Sequence, residues 1–176
     1  MADMATPRAS IQGRFQRPGH DHGRCVAHAL DQAEALCADR DARLTALRRR
    51  VLELVWSEHK PIGAYDILDR LSRCGRRAAP VAVYRALAFL MAQGFVHRIA
   101  SRNAYVGCGR PEARHAAQFL ICDTCDAVAE LSDARIEHAI MEGAERTGFA
   151  VARPVVEVQG LCPACRSKPV GATLGR

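Results

Sequence analysis

Four of the eight cysteines form two Cys-x-x-Cys pairs, which are Cys122 with Cys125 and Cys162 with Cys165. Each short turn lets both sulfurs face one ion, and four thiolates complete the closed tetrahedral set of a structural zinc site. In a cytosolic chain thiols stay reduced, so paired cysteines indicate metal more often than disulfides. A redox pair or four unrelated buried cysteines is the alternative. The spacing predicts a zinc clamp for a C-terminal unit too small to be stable by apolar burial alone.

The positive charge lies in the first part of the chain. Residues 1–106 hold 17 Lys and Arg against 10 Asp and Glu, a net +7, and residues 107–176 hold 8 against 9, a net −1. This division is typical of a phosphate-binding module joined to a module with another task, although a merely solvated basic surface is the alternative. No apolar run reaches the length of about 18 residues that a membrane span needs, and arginines interrupt the opening stretch. We therefore expect a cytoplasmic protein without membrane contact.

Apolar periodicity predicts four helices in the basic part, followed by two short strands. Thr45 is an N-cap candidate and Pro80 suits the first turn of the last helix. The predicted helices are Val26–Ala38, the segment behind Thr45, Ile62 to near Gly75, and Pro80–Met91; the strands are Phe95–Ala100 and Ala104–Val106. Such helices followed by a hairpin form a winged helix-turn-helix, whose last helix enters the major groove of double-stranded DNA.

The rest of the chain has a different pattern. After the hinge-like Gly107–Pro111, we expect a hairpin of strands 119–121 and 127–131, a helix capped by Ser132-Asp133, and a strand over Val151–Val158. The apolar faces of this unit exceed what its own core can cover, which favours dimerisation. The fold class is thus α+β. The predicted domains are a disordered tail 1–24, a winged-helix DNA-binding domain 25–106, a hinge 107–116, a small α/β dimerisation and metal-binding domain 117–168 with the structural zinc, and a flexible tail 169–176.

Motifs over about three quarters of the chain resemble the ferric uptake regulator superfamily and, within it, the zinc uptake regulators. They are Arg43-Leu44-Thr45, Ala64-Tyr65-Asp66-Ile67-Leu68, Val83-Tyr84-Arg85-Ala86-Leu87-x-Phe89-Leu90, Gln93-Gly94-Phe95-Val96-His97, Asn103-x-Tyr105-Val106-x-Cys108, Phe119-x-Ile121-Cys122-x-x-Cys125 and Gly160-Leu161-Cys162-x-x-Cys165. The resemblance implies a zinc-responsive repressor without enzymatic activity or a small-molecule substrate. It implies a homodimer that binds palindromic operator DNA when zinc-loaded and silences zinc-uptake genes.

The resemblance also implies two zinc ions per subunit. It places the regulatory zinc on His97, Cys108, His115 and Glu130, and the structural zinc on the four paired cysteines. One thiolate, two imidazoles and one carboxylate suit tetrahedral zinc, whereas iron, manganese and peroxide sensors use imidazole and carboxylate without sulfur. These four residues come from the predicted hairpin of the DNA-binding domain, the hinge and the C-terminal domain, so one ion could fix the angle between the two domains.

Two candidate DNA contacts lie in the predicted recognition helix, Pro80–Met91. We expect Tyr84 and Arg85 to contact bases and Arg43 and Arg102 to contact the DNA backbone. Packing of the Tyr84 ring in the core is the alternative for that residue. The chain departs from the family at Asp126, where glycine is common after the first cysteine pair.

Three other functions stay open at this point. One is a sensor of iron, manganese or peroxide on the same scaffold. Another is a zinc-dependent enzyme, with His97, Cys108 and His115 as a three-ligand catalytic site and Glu130 as the base. The third, a zinc-stabilised adaptor that does not bind DNA, fits poorly with the net charge of +7 over residues 1–106.

Overall fold

Four helices make up most of the N-terminal half of the computed structural model, which describes residues 15, 21–58, 60–75, 78–113 and 115–167. They are α1 (His22–Asp39), α2 (Ala46–Trp56), α3 (Ala64–Arg73) and α4 (Pro80–Ala92). Helix α1 begins earlier than predicted because the Asp21 side chain accepts hydrogen bonds from two backbone amides of its first turn. Residues 22–24 are therefore helical and not part of a disordered tail. The rest of that tail, except residues 15 and 21, and the predicted tail 169–176 lie outside the described residues.

The starts of α2 and α4 are those that the sequence predicts. Thr45 accepts a hydrogen bond from the Arg48 amide at 3.4 Å, and Pro80 occupies the first turn of α4. The faces of α2, α3 and α4 that point inward form one apolar core, which includes the fully buried side chains of Val51, Leu52, Val55, Ile67, Leu71, Val83, Leu87 and Leu90. Burial of these faces holds the helices together.

A three-stranded antiparallel sheet completes the N-terminal domain. Its strands are β1 (Ile62–Gly63), β2 (Val96–Ile99) and β3 (Ala104–Gly107), in the order β1-β3-β2. The prediction that Ile62 begins a helix is wrong, because Ile62 pairs with Tyr105 in β1 and α3 starts at Ala64. A two-residue strand is too short to show the alternation that distinguishes a strand from a helix. Helices followed by the β2–β3 hairpin form the expected winged helix-turn-helix, and we call this hairpin the wing.

The C-terminal domain is built on a second three-stranded sheet. Its strands are β4 (Ala117–Cys122), β5 (Val128–Leu131) and β6 (Val155–Gly160), in the order β5-β4-β6. Strand β4 pairs antiparallel with β5 and parallel with β6. Helix α5 (Ala134–Arg146) begins at the cap Asp133, and the short helix α6 (Pro163–Arg166) follows β6. The last strand begins four residues later than predicted and runs as far as Gly160. The chain thus has the expected helical N-terminal domain and C-terminal α/β domain.

The wing packs against the C-terminal sheet. Ile99 and Val106 of the wing form a buried apolar cluster with Ala117, Phe119 and Ile121 of β4. We call this contact between the two domains the seam. None of the described helices has the length and apolar character needed to cross a membrane.

Candidate metal centres

The four paired cysteines converge between the end of β4 and the short helix α6. Their sulfur atoms all lie within 4.8 Å of one another. Parallel pairing of β4 with β6 places Cys122 opposite Gly160, and the Asp123 amide donates to the Gly160 carbonyl at 2.8 Å. This pairing brings the first knuckle, Cys122–Cys125, to the second knuckle, Cys162–Cys165. The structure therefore assembles the donor set that sequence spacing predicts.

The electrostatics of this cluster suit a cation. Burial disfavours the Cys122 thiolate, but backbone amides, that of Cys162 first, outweigh burial and lower the pKa of Cys122 to about 6. At the other side of the cluster, the sulfurs of Cys125 and Cys162 raise the pKa of Cys165 to about 12. Crowded sulfur donors oppose one another's ionisation, and a divalent cation among them removes that conflict. Four sulfurs in this arrangement fit a tetrahedral zinc ion.

A second cluster lies at the seam and contains His97, Cys108, His115 and Glu130, whose ligand atoms also lie within 4.8 Å of one another. His97 belongs to β2 and Glu130 to β5, so the cluster joins both domains. Cys108 directly follows β3, and its amide donates to the Phe95 carbonyl at 2.9 Å. All four residues are buried or half-buried. The structure thus brings together every residue of the predicted regulatory set.

His115 is oriented by its surroundings toward the centre of the second cluster. Its Nδ1 lies 2.8 Å from the Ala113 carbonyl oxygen, to which an Nδ1–H donates. Its Nε2 lies 2.5 Å from Glu130 Oε1 and 3.8 Å from Cys108 Sγ. A histidine ligand typically donates one ring N–H to a carbonyl and binds metal through the other nitrogen. His115 has this arrangement.

His97 provides the test of whether a metal fits. Its Nε2 is buried and has no hydrogen-bond partner, although Glu130 Oε1 lies 3.3 Å away. The ring is held edge-on by Phe119 at 5.4 Å and by His115 at 5.3 Å between centroids. A buried polar nitrogen without a partner is unfavourable unless another group satisfies it. A metal ion bound by the other three ligands would satisfy it, so the donor set fits zinc.

Two residues of the second cluster, Glu130 and Cys108, have strongly shifted pKa values. Burial disfavours ionised Glu130, but His97 first, then the Gly109 amide and His115, lower the pKa of Glu130 to about 2. Burial, reinforced by the Glu130 charge, raises the pKa of Cys108 to about 12. The carboxylate is therefore ionised at neutral pH and the thiol is protonated. Metal binding to this set must displace the Cys108 proton, which makes the affinity pH-dependent.

Two sets of contacts support the second cluster, and neither can be predicted from the sequence. Arg40, the C-cap residue of α1, donates to the Gln93 carbonyl at 2.7 Å and to the Pro111 carbonyl at 3.0 Å, which fixes the segment after Cys108 on the N-terminal domain. Gly107 lies against the Trp56 ring, so closely that a Cβ atom there would come within 2.2 Å of the ring. Both contacts join residues more than 50 positions apart, which periodicity and local motifs do not detect.

The residues predicted to contact DNA have different environments. Tyr84 is 45% exposed, so its ring is not a core residue, and Arg85 and Arg43 are also exposed. Arg102 forms ion pairs with Asp123 and Asp126 of the C-terminal domain. Its contact with DNA stays a prediction. Tyr65, an exposed ring on α3, is not among the predicted contacts, although an aromatic residue in a polar helix is an available signal.

Comparisons with known proteins agree with this architecture. The model of the ferric uptake regulator family matches residues 39–159. The zinc uptake regulation protein of Escherichia coli (strain K12) is 44% identical over 137 residues, which cover 77% of this chain and 80% of that protein; the zinc uptake regulation protein of Shigella flexneri gives the same values.

Two solved structures are also similar to this chain over most of its length. A zinc uptake regulator complexed with zinc and DNA has a TM-score of 0.76 and 42% identity, over 80% of this chain and 95% of that one. Holo XcZur has a TM-score of 0.74 and 41% identity, over 79% of this chain and 97% of that one. The chain therefore belongs to the ferric uptake regulator family.

Proposed function

We propose that the chain is a cytoplasmic, zinc-responsive transcriptional repressor. It binds palindromic operator DNA as a homodimer when zinc-loaded, and it represses zinc-uptake genes. The observation that carries the proposal is the cluster of His97, Cys108, His115 and Glu130, because it joins the wing to the C-terminal sheet. The similarity to zinc uptake regulation proteins, and to a regulator solved with zinc and DNA, supports it.

The donor chemistry of the seam cluster favours zinc as the signal. When bound, zinc supplies one Lewis acid that accepts electron pairs from a thiolate, two imidazoles and a carboxylate at once. His97 and Cys108 are fixed to the N-terminal domain, while Glu130 is fixed to the C-terminal sheet. Shared coordination favours the domain arrangement in which these ligands are close. Four protein ligands leave no open position for a substrate, so the role that we propose is regulatory and not catalytic.

The N-terminal domain supplies the proposed DNA contacts. Tyr84 and Arg85 project from the exposed face of α4, where they can reach base edges in the major groove. Arg43 is the proposed backbone contact, and the net charge of +7 over residues 1–106 matches a phosphate surface. Arg102, the other predicted backbone contact, forms ion pairs with Asp123 and Asp126.

The C-terminal domain supplies the proposed dimer contact. Helix α5 has none of its residues buried within the chain. Large apolar side chains are exposed on and beside α5, on the edge strand β6 and directly after it, namely Met141, Phe149, Val155, Val158 and Leu161. Exposed large apolar side chains are typical of protein interfaces. A two-fold dimer through it would match a palindromic operator, with one recognition helix for each half-site.

We further propose two zinc ions per subunit. The closed four-sulfur set of Cys122, Cys125, Cys162 and Cys165 would hold a structural ion that stabilises the small C-terminal domain. The seam cluster would hold the regulatory ion. Only the second set includes residues of both domains.

The proposal is tested by titrating labelled DNA under buffered free metal. The probe is a palindromic duplex selected from a random library with the zinc-loaded wild-type chain, and the metals are Zn²⁺, Fe²⁺ and Mn²⁺. We expect tight binding at the lowest free metal concentration with zinc. Cys108→Ser should lose zinc-dependent binding, because serine cannot provide a thiolate. The matched control is Cys74→Ser, since Cys74 is exposed and lies outside both clusters.

Three results would contradict the proposal. Selection with zinc-loaded protein could yield no duplex that binds, which would remove the DNA-binding function. Cys108→Ser could bind as tightly as the wild type over the whole zinc range, which would remove the sensing role of the seam cluster. Fe²⁺ could act at a lower free concentration than zinc, which would indicate an iron sensor on the same scaffold.

A further inference from the structure

The tip of the wing is attached to the C-terminal domain by a carboxylate. Glu157 of β6 accepts a hydrogen bond from the Ala100 amide at 2.6 Å through Oε1 and another from the Ser101 amide at 3.0 Å through Oε2. These amides open the short 3₁₀ turn Ala100–Arg102 that joins the two wing strands. The donors lower the pKa of Glu157 despite the opposing effect of burial. Charge-assisted hydrogen bonds of this kind are stronger than neutral ones.

A second attachment joins the same turn to the first cysteine knuckle. Arg102 Nη2 lies 3.0 Å from Asp123 Oδ1, and Arg102 Nε lies 3.4 Å from Asp126 Oδ1. Asp123 and Asp126 directly follow Cys122 and Cys125, and Asp126 has a positive φ of 56° with its amide bonded to the Cys122 carbonyl. The position of both carboxylates is therefore set by the turn that holds the cysteine sulfurs.

We propose that Glu157, Asp123 and Asp126 form a latch that positions the wing for DNA binding, with Arg102 and the amides of Ala100 and Ser101 as its wing side. The knuckle then has a second role beside metal binding, because its shape places the two aspartates. Arg102 acts in the latch as a positioning residue and not as a phosphate contact. This inference rests on the proposed DNA-binding function.

The latch and a simple phosphate contact by Arg102 predict opposite changes in DNA affinity when Asp126 or Glu157 is neutralised. Removal of a negative charge from a DNA-binding protein generally strengthens binding, because the phosphate backbone repels acidic groups. The phosphate-contact alternative therefore predicts equal or tighter binding when Asp126 or Glu157 is neutralised. The latch predicts weaker binding, because the wing loses its attachment.

The experiment measures affinity of the full-length, zinc-loaded chain for the selected duplex over a range of salt concentrations. We expect Asp126→Asn to weaken binding about two- to fivefold, as for loss of a partly exposed ion pair, and Glu157→Gln to weaken it by about tenfold. Arg102→Ala should weaken binding without reducing the salt slope, and its effect should not add to that of Asp126→Asn. The control is Asp31→Asn, an exposed α1 carboxylate without a partner among the described residues, which should not weaken binding.

A second measurement does not depend on DNA. Amide hydrogen exchange of Ala100 and Ser101 in the zinc-loaded chain should be slow in the wild type and faster in Glu157→Gln, with zinc content unchanged. Unchanged exchange in Glu157→Gln would overturn the latch even if the chain did not bind DNA. Binding of Asp126→Asn as tight as the wild type would also overturn it, as would a loss of about one unit of salt slope in Arg102→Ala. If the wild type itself fails to bind any duplex with zinc, the proposed function fails instead.

Discussion

Substitution of Gly107 by alanine tests whether close packing holds Cys108 in place. An alanine Cβ at this position would lie 2.2 Å from Trp56 Cε2 and 2.3 Å from Trp56 Nε1. Non-bonded carbon atoms prefer a separation of about 3.5–4.0 Å, so the overlap exceeds about 1 Å. The Trp56 ring or strand β3 must move, and overpacking of this kind costs about 1–3 kcal/mol.

The assay is urea unfolding of the zinc-loaded chain at fixed protein concentration. Circular dichroism reports the helices, and fluorescence of Trp56, the only tryptophan in the chain, reports the contact itself. We expect Gly107→Ala to lower the free energy of unfolding by about 1–3 kcal/mol. We also expect weaker regulatory zinc binding, since Cys108 is the next residue.

Two further variants distinguish the steric cause from a general effect of alanine. Gly143 of α5 has no atom within 4 Å of a built Cβ, so Gly143→Ala should raise stability by about 0.5–1 kcal/mol through helix propensity. In a Trp56→Ala background, Gly107→Ala should cost much less, because the obstructing ring is gone. Unfolding of Gly107→Ala at the wild-type urea concentration, or an equal loss of stability in the absence of Trp56, would rule out the steric effect.

Three further substitutions test the cap of α2, the packing of the seam and the titration of the latch. Thr45→Ala should lower the free energy of unfolding by about 1 kcal/mol in urea titration, since the Arg48 amide loses its acceptor, and Thr45→Ser should not. Phe119→Ala should cost about 3–5 kcal/mol in the same assay and should weaken regulatory zinc binding, because Phe119 is 1% exposed and touches the His97 ring. The pKa of Glu157 is held below its usual value in the folded chain. Ionised Glu157 therefore stabilises the fold above its unfolded pKa of about 4.3. This contribution disappears as the pH falls through the pKa of the folded state. Glu157→Gln should therefore flatten the pH dependence of stability below about pH 4.3, measured against the wild type at matched zinc content, and an unchanged profile would contradict that assignment.

Local signals in the sequence were sufficient for most of the fold. Thr45 and Pro80 mark helix starts because capping and a fixed φ depend on nearby residues alone. The cysteine knuckles could be predicted because each pair is a local turn with a known ligand geometry. The helix predicted at Ile62 is wrong because a strand of two residues is defined by its partner Tyr105 and not by its own pattern.

The seam could not be predicted from local patterns. His97, Cys108, His115 and Glu130 have no common spacing, so the resemblance to a family carried that set. Contacts across the fold bring them together, such as pairing of β5 with β4 and packing of the wing on Phe119. The contact of Glu157 with the wing cannot be predicted from the sequence, because its partners are backbone amides 56 and 57 positions away.

We propose that zinc at the seam cluster and DNA at the N-terminal domain are coupled, because both favour the same domain arrangement. The most direct test is the zinc affinity of that site, measured by competition with a chelator in the presence and absence of a saturating selected duplex. DNA should tighten zinc binding by the same factor by which zinc tightens DNA binding, about 5–150-fold. An equal zinc affinity with and without DNA would contradict this coupling.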